Sequence, residues 1–325
     1  MKFVEITQPG GPEVLNIVEG ERPTIDRHEV LIKVQAAGVN RPDILQRQGK
    51  YPMPKGLTPI PGLEVSGIVE EIGADVTEFK VGDAVCALTN GGGYAEFCAV
   101  PAAQTLPIPK GISFEEAAAI PETFFTVWAN LFQIGKAKPN ESVLIHGGAS
   151  GIGTTAIALG KEFGLNVFAT VGDDNKVEEL KHSATVINYK KEDFEEKINA
   201  LTEGEGVDII LDIVGASYFN KNMNLLKKDG RLVIIGFMGG NLVDNFDITH
   251  MMVKRITVTG STMRGRNLEE KREIAEQLKE KVWPALEKGR CKPIIYATYP
   301  LEEIAKAHEC LDTGSHIGKV VITLS

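Results

Sequence analysis

Apolar and polar positions fall into two textures along the chain. From residue 142 onward, short apolar runs alternate with amphipathic stretches. Strands are expected at 142–146, 166–170, 185–188, 207–212, 231–235 and 256–259, with helices at 154–163, 176–181, 192–201 and 219–226. Such alternation predicts βαβ units and a mostly parallel sheet. Residues 1–120 read differently. Val30-Leu31-Ile32-Lys33-Val34 and residues 65–73 alternate as strands, and glycines and prolines punctuate them at 9–12, 52–61 and 91–93. Many short strands between turns predict a small barrel-like domain. Helices are expected at 113–119 and 123–132. The last sixty residues contain one long amphipathic helix at 268–286, a strand at 293–299, a short helix at 301–311 and a strand at 318–324.

The stretch 142–164, SVLIHGGASGIGTTAIALGKEFG, is the centre of the chain. An apolar strand leads into Gly147-Gly148-Ala149-Ser150-Gly151-Ile152-Gly153, and small or apolar residues follow at helical spacing. Strand, glycine turn and helix in that order form the anion-binding start of a dinucleotide fold. The glycines let the backbone approach a pyrophosphate, and the helix N-terminus points free N–H groups at it.

Composition narrows the class. A chain of 325 residues with 43% hydrophobic and 24% charged residues is an ordinary globular protein of about two domains. Its net charge of −9 supplies no basic excess for a nucleic-acid or acidic-membrane partner. The opening MKFVEITQPGG has no apolar run of signal-peptide length, and no later run approaches a membrane span. Cys86, Cys98, Cys291 and Cys310 form no CxxC pair. Reduced thiols in a cytoplasmic protein are expected.

Several motifs in fixed order resemble the zinc-independent quinone oxidoreductases, the zeta-crystallin-like branch of the medium-chain dehydrogenase/reductase superfamily. They include Ala37-Gly38-Val39-Asn40-Arg41-Pro42-Asp43, Gln48-Gly49-Lys50-Tyr51-Pro52, Pro61-Gly62-Leu63-Glu64-Val65-Ser66-Gly67 and Val81-Gly82-Asp83. The glycine turn, Asn188-Tyr189-Lys190-Lys191, Thr259-Gly260-Ser261-Thr262-Met263-Arg264 and Gly318-Lys319-Val320-Val321 continue the match. The resemblance implies an α/β protein with a GroES-like β-rich N-terminal domain and a Rossmann doubly wound parallel-sheet domain. Residues 1–122, completed by 266–325, would be the former, and residues 123–265 the latter. Cofactor and acceptor would meet in the cleft between them.

Metal-dependent members of the superfamily hold zinc with a cysteine, the histidine of Gly-His-Glu, and a second cysteine or acidic residue. The corresponding positions here are Asn40, Leu63 and, near the third, Glu122. Leucine offers no lone pair, one carboxylate does not make a catalytic zinc site, and the four-cysteine structural lobe is missing. No metal is therefore expected. Without a Lewis acid to stabilise an alkoxide, oxidation of a simple alcohol is hard, whereas a quinone or enone is already electrophilic. The resemblance implies catalytic roles for Asn40, Tyr51 and Asp43. Tyr51 would donate a hydrogen bond to the acceptor or stack on it, and Asn40 would orient the ribose or the acceptor oxygen. The plainer alternatives are that Asp43 caps a helix and Tyr51 fills a proline-rich loop.

For the cofactor, the resemblance implies Thr126 near the nicotinamide carboxamide. It places Gly148, Ala149, Ser150, Gly151, Ile152 and Gly153 at the pyrophosphate, with further contacts from Val214, Phe237, Met263, Arg264 and Lys319. NADPH and NADH divide the evidence. Asp173 lies about 20 residues past the glycines, where a carboxylate takes the ribose 2′-OH of NAD, and Asp174 adds negative charge. By resemblance the selecting position is instead Val171. Gly172 then opens room beside it, while Lys176 and Tyr189 match a 2′-phosphate and adenine site. NADPH is the preferred reading, with NADH possible.

A short-chain dehydrogenase reading fails, because its Tyr-xxx-Lys spacing occurs only at Tyr51-Pro52-Met53-Pro54-Lys55, whose prolines bar a helix. An enone or enoyl reductase of the same fold, and a cofactor-binding protein without turnover, remain as alternatives. A homodimer is expected, with Ile256-Thr257-Val258-Thr259 as the pairing edge.

Overall fold

The alternation after residue 142 folds as a six-stranded sheet in a computed structural model that describes residues 1–51 and 56–324. Its spatial order is Thr185–Asn188, Asn166–Val171, Ser142–His146, Val207–Asp212, Leu226–Ile234 and Thr257–Gly260. Every neighbouring pair is parallel. Val143, Leu144, Ile145, Ile209, Ile210 and Leu211 are all fully buried, as strands covered on both faces must be. The first strand in sequence, Ser142–His146, lies between the strands that follow it on either side. Chain direction reverses there, so the crevice that receives ligands opens at its C-terminal end.

The chain divides into two compact units, Thr126–Gly265 and the remainder, Met1–Phe125 with Arg266–Ser325. The second of these carries a seven-stranded sheet. In spatial order its strands are Ile295–Pro300, Lys319–Thr323, Glu29–Val39, Glu64–Ile72, Ala84–Leu88 and Thr105–Pro107, and Phe97–Pro101 also pairs with Glu29–Val39. Only the first pair is parallel. A separate hairpin joins Lys2–Ile6 to Leu15–Glu19. The last strand is thus built into the sheet of the first hundred residues, with Val320 opposite Val39 and Thr323 opposite Ala36.

Two helices depart from expectation. The helix expected at 268–286 ends at Lys281, and a second, Trp283–Glu287, begins after the single residue Val282. Pro284 explains the break, since it lacks the N–H that would continue the first helix and suits the opening turn of the second. The helix expected at 123–132 starts at Pro121, and Trp128–Ile134 is wound as a π-helix. There the Asn130 side chain donates to Thr126 O at 2.8 Å and accepts from Ser261 Oγ at 2.7 Å. A side chain inserted in this way widens a helical turn.

Candidate active site

In the parallel-sheet unit, the glycine turn takes the shape the sequence demands. Gly147 has φ +72°, a conformation that L side chains rarely adopt. A Cβ on Gly153 would lie 2.2 Å from Gly147 O and 2.6 Å from Gly148 Cα, so the helix start is pressed against the turn. Ser150 Oγ donates to Gly147 O at 2.8 Å and accepts from Gly153 N at 3.0 Å, capping helix Gly151–Glu162. Ala149 is buried and Ile152 half-buried.

A buried hydrogen-bonded chain lies under this turn and was not anticipated. His146 Nε2 donates to Asn222 Oδ1 at 2.7 Å, and His146 Nδ1 accepts from Thr170 Oγ1 at 3.0 Å. Asn222 Nδ2 donates to Asp212 Oδ2 at 3.2 Å, and Asp212 in turn accepts from the N–H groups of Val214 and Gly215. The carboxylate's need for donors fixes the Asn222 amide, and the amide fixes the histidine tautomer. Three strand ends and the loop carrying Val214 are thereby tied together. Burial holds His146 down to about 4 and pushes Asp212 up to about 6. The only sequence signal was a histidine ending the central strand; Asn222 gave none.

Past the second strand, a Cβ on Gly172 would sit 2.9 Å from the Tyr189 hydroxyl, so only a bare backbone fits beneath that ring. Asp173 accepts from Lys176 N at 3.0 Å as the helix cap and pairs with Lys176 Nζ at 3.5 Å. Asp174 is engaged by Asn188 Nδ2 at 2.7 Å and by Lys191. Both acids therefore have local work. Phe237 packs its backbone over Gly215, and its ring is exposed. Met263 is buried and Arg264 half-buried, both beyond strand Thr257–Gly260. Thr126 is 8% exposed, and its Oγ1 is buried with no hydrogen-bond partner among the described residues. An orphaned hydroxyl of this kind suits a ligand amide. Together with the Gly153 cradle it makes the unit fit a nicotinamide dinucleotide.

The other unit assembles a different set of candidates. Lys319 Nζ lies 2.6 Å from Glu64 Oε1, bonds Asn40 Oδ1, and reaches Val39 O at 3.4 Å. Asn40 Nδ2 donates to Glu64 Oε1 at 2.9 Å, and Glu122 N donates to Glu64 Oε2 at 2.9 Å. All three donors of Lys319, expected among the cofactor contacts, are committed to protein oxygens. Asn40 is bound on both amide atoms and heads helix Arg41–Arg47. Asp43 takes the capping role given above as the plainer alternative. It accepts from Asn40 N at 2.9 Å, Gly62 N at 3.0 Å and Tyr94 Oη at 3.1 Å, and it is fully buried. Burial pushes its carboxyl up to about 6 against the pull of those donors. Behind it, His308 Nε2 donates to the Tyr94 hydroxyl at 3.3 Å, and Arg47 donates to His308 Nδ1 at 3.4 Å. Tyr51 is half-buried. Lys55, weighed in the Tyr-xxx-Lys spacing, lies outside the described residues.

Glu122, weighed in the sequence only as a metal-ligand position, opens helix Pro121–Val127. Its carboxyl is half-buried and receives no hydrogen bond from any described side chain. Burial, reinforced by the negative charge of Glu64, pushes it up to about 7.

A GroES-like alcohol dehydrogenase domain model matches residues 26–110, and a zinc-binding dehydrogenase model matches residues 151–280. The quinone oxidoreductase of Rattus norvegicus is 33% identical over 329 residues, covering 100% of this chain and 98% of the relative. The chain belongs to the quinone oxidoreductase, zeta-crystallin-like branch of the medium-chain dehydrogenase/reductase superfamily. The Escherichia coli quinone oxidoreductase complexed with NADPH superposes with TM-score 0.86 at 30% identity over 100% of both chains. An NAD-dependent alcohol dehydrogenase gives 0.87 at 29% over 100% of both chains, and the CurK enoyl reductase 0.85 at 28% over 100% and 99%. The chain is an NAD(P)H oxidoreductase with a GroES-like domain and a Rossmann domain.

The zinc of the matched dehydrogenase model does not fit these residues. Leu63 is apolar and buried, and Glu64 and Asn40 are bound to Lys319. Among the described residues no three histidine, cysteine or acidic side chains gather as a metal site.

Proposed function

We infer that the protein is a zinc-independent, NADPH-dependent quinone oxidoreductase. The observation that carries this reading is Leu63 beside a Glu64 already committed to Lys319. A site lacking a donor set for a Lewis acid favours an acceptor that is electrophilic by itself and spreads incoming charge over a conjugated ring. The nicotinamide supplies a hydride when bound. This chain's residues bind and orient. Thr126 Oγ1 would meet the carboxamide, and Gly148 to Gly153 with the helix N-terminus would hold the pyrophosphate. Lys176 and Tyr189, with Gly172 making room, would take the 2′-phosphate and adenine, and this favours NADPH over NADH. Asn40 and Tyr51 remain proposed acceptor contacts.

An enone acceptor is the second reading, favoured by the likeness to an enoyl reductase. A homodimer through strand Thr257–Gly260 is proposed as well. That strand ends the sheet with one unpaired edge, and Phe237, Leu242, Ile248 and Met252 are exposed in the preceding segment. Four free thiols support a cytoplasmic setting. No helix of the described residues is long and apolar enough to cross a membrane.

Initial rates of NADPH and NADH oxidation with an ortho-quinone, with and without a chelator, test the reading. Chelator-insensitive turnover favouring NADPH is expected. Loss with chelator overturns the metal-free site, and a preference for NADH reassigns selection to Asp173. Turnover with an enone alone moves the assignment to the second reading.

A further inference from the structure

Three segments expected to line the cofactor site meet at one buried amide. Asn222, on helix Ala216–Leu225, is fully buried and links His146 to Asp212. On one side His146 Nε2 donates to it, and His146 leads directly into the glycine turn. Thr170, which bonds His146 through its hydroxyl, accepts from Gly148 N at 2.8 Å through its carbonyl. On the other side Asn222 Nδ2 donates to Asp212, whose carboxylate takes Val214 N–H at 2.7 Å and Gly215 N–H at 3.1 Å. The loop carrying Phe237 rests on that turn in its own right. Met238 N donates to Ile213 O at 3.1 Å, Gly239 N to Val214 O at 2.7 Å, and Ala216 N accepts the partnership of Gly240 O at 2.9 Å. A Cβ on Gly215 would lie 2.7 Å from Gly240 O, so the two loops are in backbone contact.

We propose that Asn222 is a positioning residue for the dinucleotide, setting the loops of Val214 and Phe237 against the glycine turn without touching the ligand. The inference rests on the cofactor reading above and lies within one compact unit. An amide accepts from the imidazole and donates to the carboxylate at once, with no charge of its own. Leucine has nearly the same shape and does neither. Without the amide, the imidazole N–H is left unpaired in a buried place and Asp212 loses a donor. The readiest relief is a shift of Asp212 and of the loops hung on it. The proposed 2′-phosphate and adenine site at Lys176 and Tyr189 follows other strands and is not hung on Asp212. The imidazole itself is also seated by packing, with the Tyr218 and Phe194 rings at 4.9 and 5.0 Å. The titratable groups about the network are Asp212, His146 and Tyr218; Tyr218 in turn feels Tyr189 and Asp193, the latter paired with Lys221.

The test measures, by calorimetry, binding of NADP⁺ and of its fragment adenosine 2′-phosphate to wild type, Asn222→Leu and Asn222→Asp. NAD⁺ and adenosine take their place if wild type prefers NAD⁺. Asn222→Leu should bind the dinucleotide about ten-fold or more weakly, the scale of a buried group left unpaired, and the fragment as wild type does. That split separates positioning from a general loss of fold, which weakens both. Asn222→Asp supplies the rescue. Protonated, its carboxyl replaces the amide, with the O–H donating to Asp212; ionised, it meets Asp212 as a like charge. Its dinucleotide affinity should match wild type at about pH 5.5 and fall about ten-fold or more below wild type at about pH 8. This ratio is read on one protein, so it decides even where Asn222→Leu does not fold. A ratio that does not move with pH, or wild-type dinucleotide binding by Asn222→Leu, overturns the inference and leaves the cofactor reading standing. Equal weakening of both probes by a folded Asn222→Leu also overturns it. A wild type that binds neither NADP⁺ nor NAD⁺ overturns both.

Discussion

Lys319 Nζ and Glu64 Oε1 form a 2.6 Å ion pair with side chains 4% and 0% exposed. A pair this deep is maintained by its hydrogen bonds, since desolvation of both charges offsets most of their attraction. Breaking one side strands the other. Lys319→Met should cost about 3–5 kcal/mol, read as a lower urea midpoint, while the double variant with Glu64→Leu should recover most of that loss. A single variant as stable as wild type would show that the pair is not held as described.

The Gly153 cradle makes a second expectation. Gly153→Ala places a methyl 2.2 Å from a backbone oxygen, and backbone cannot step aside as a side-chain tip can. NADPH affinity, followed by nicotinamide fluorescence, should drop at least about ten-fold, equivalent to about 1.4 kcal/mol. Unchanged affinity would place the pyrophosphate elsewhere.

Lys176→Ala separates the two cofactors. A charge-assisted hydrogen bond to a phosphate contributes about 1.5–3 kcal/mol. NADPH should therefore bind about ten-fold or more weakly, with NADH changed little. An equal loss for both would mean that Lys176 serves only to pair with Asp173.

His146 supplies a pH signature. Its folded value of about 4 lies below the ordinary 6.5, so the unfolded chain binds the extra proton. Its contribution to stability is complete above about 6.5 and is lost as pH falls towards 4, by up to about 1.4 kcal/mol per pH unit. His146→Gln should lack that slope. Asp212, pushed up to about 6, runs in the opposite sense in both proteins and cancels in the comparison. Equal slopes in chemical denaturation at pH 4.5 and 6.5 would refute a buried neutral His146.

The legible parts of this chain were those encoded locally. The six strands of the parallel sheet could be read because each is a short apolar run, and the glycine turn because Gly147 and Gly153 have no substitute there. The helical period over 268–286 runs across Pro284, where the structure breaks it. The least legible features depend on distant partners. The Asp43 cap on Asn40 N is local and was open to reading, whereas its bonds from Gly62 N and Tyr94 Oη come from distant positions that the sequence does not disclose. Lys319 and Asn40 are 279 positions apart, so nothing local discloses that the lysine spends its charge on Glu64.

The strand Lys319–Thr323, lying against Glu29–Val39, also sets an order of assembly. During synthesis the first 125 residues leave the ribosome without the strand that covers one edge of their sheet and without the cation that neutralises Glu64. The dinucleotide unit, contiguous in sequence, has all of its strands before that happens. The middle segment Thr126–Gly265 should therefore become protease-resistant first, with the N-terminal sheet completing only after strand Lys319–Thr323 is released. Until then the nascent chain exposes an open β-edge, and chaperone engagement should be concentrated there.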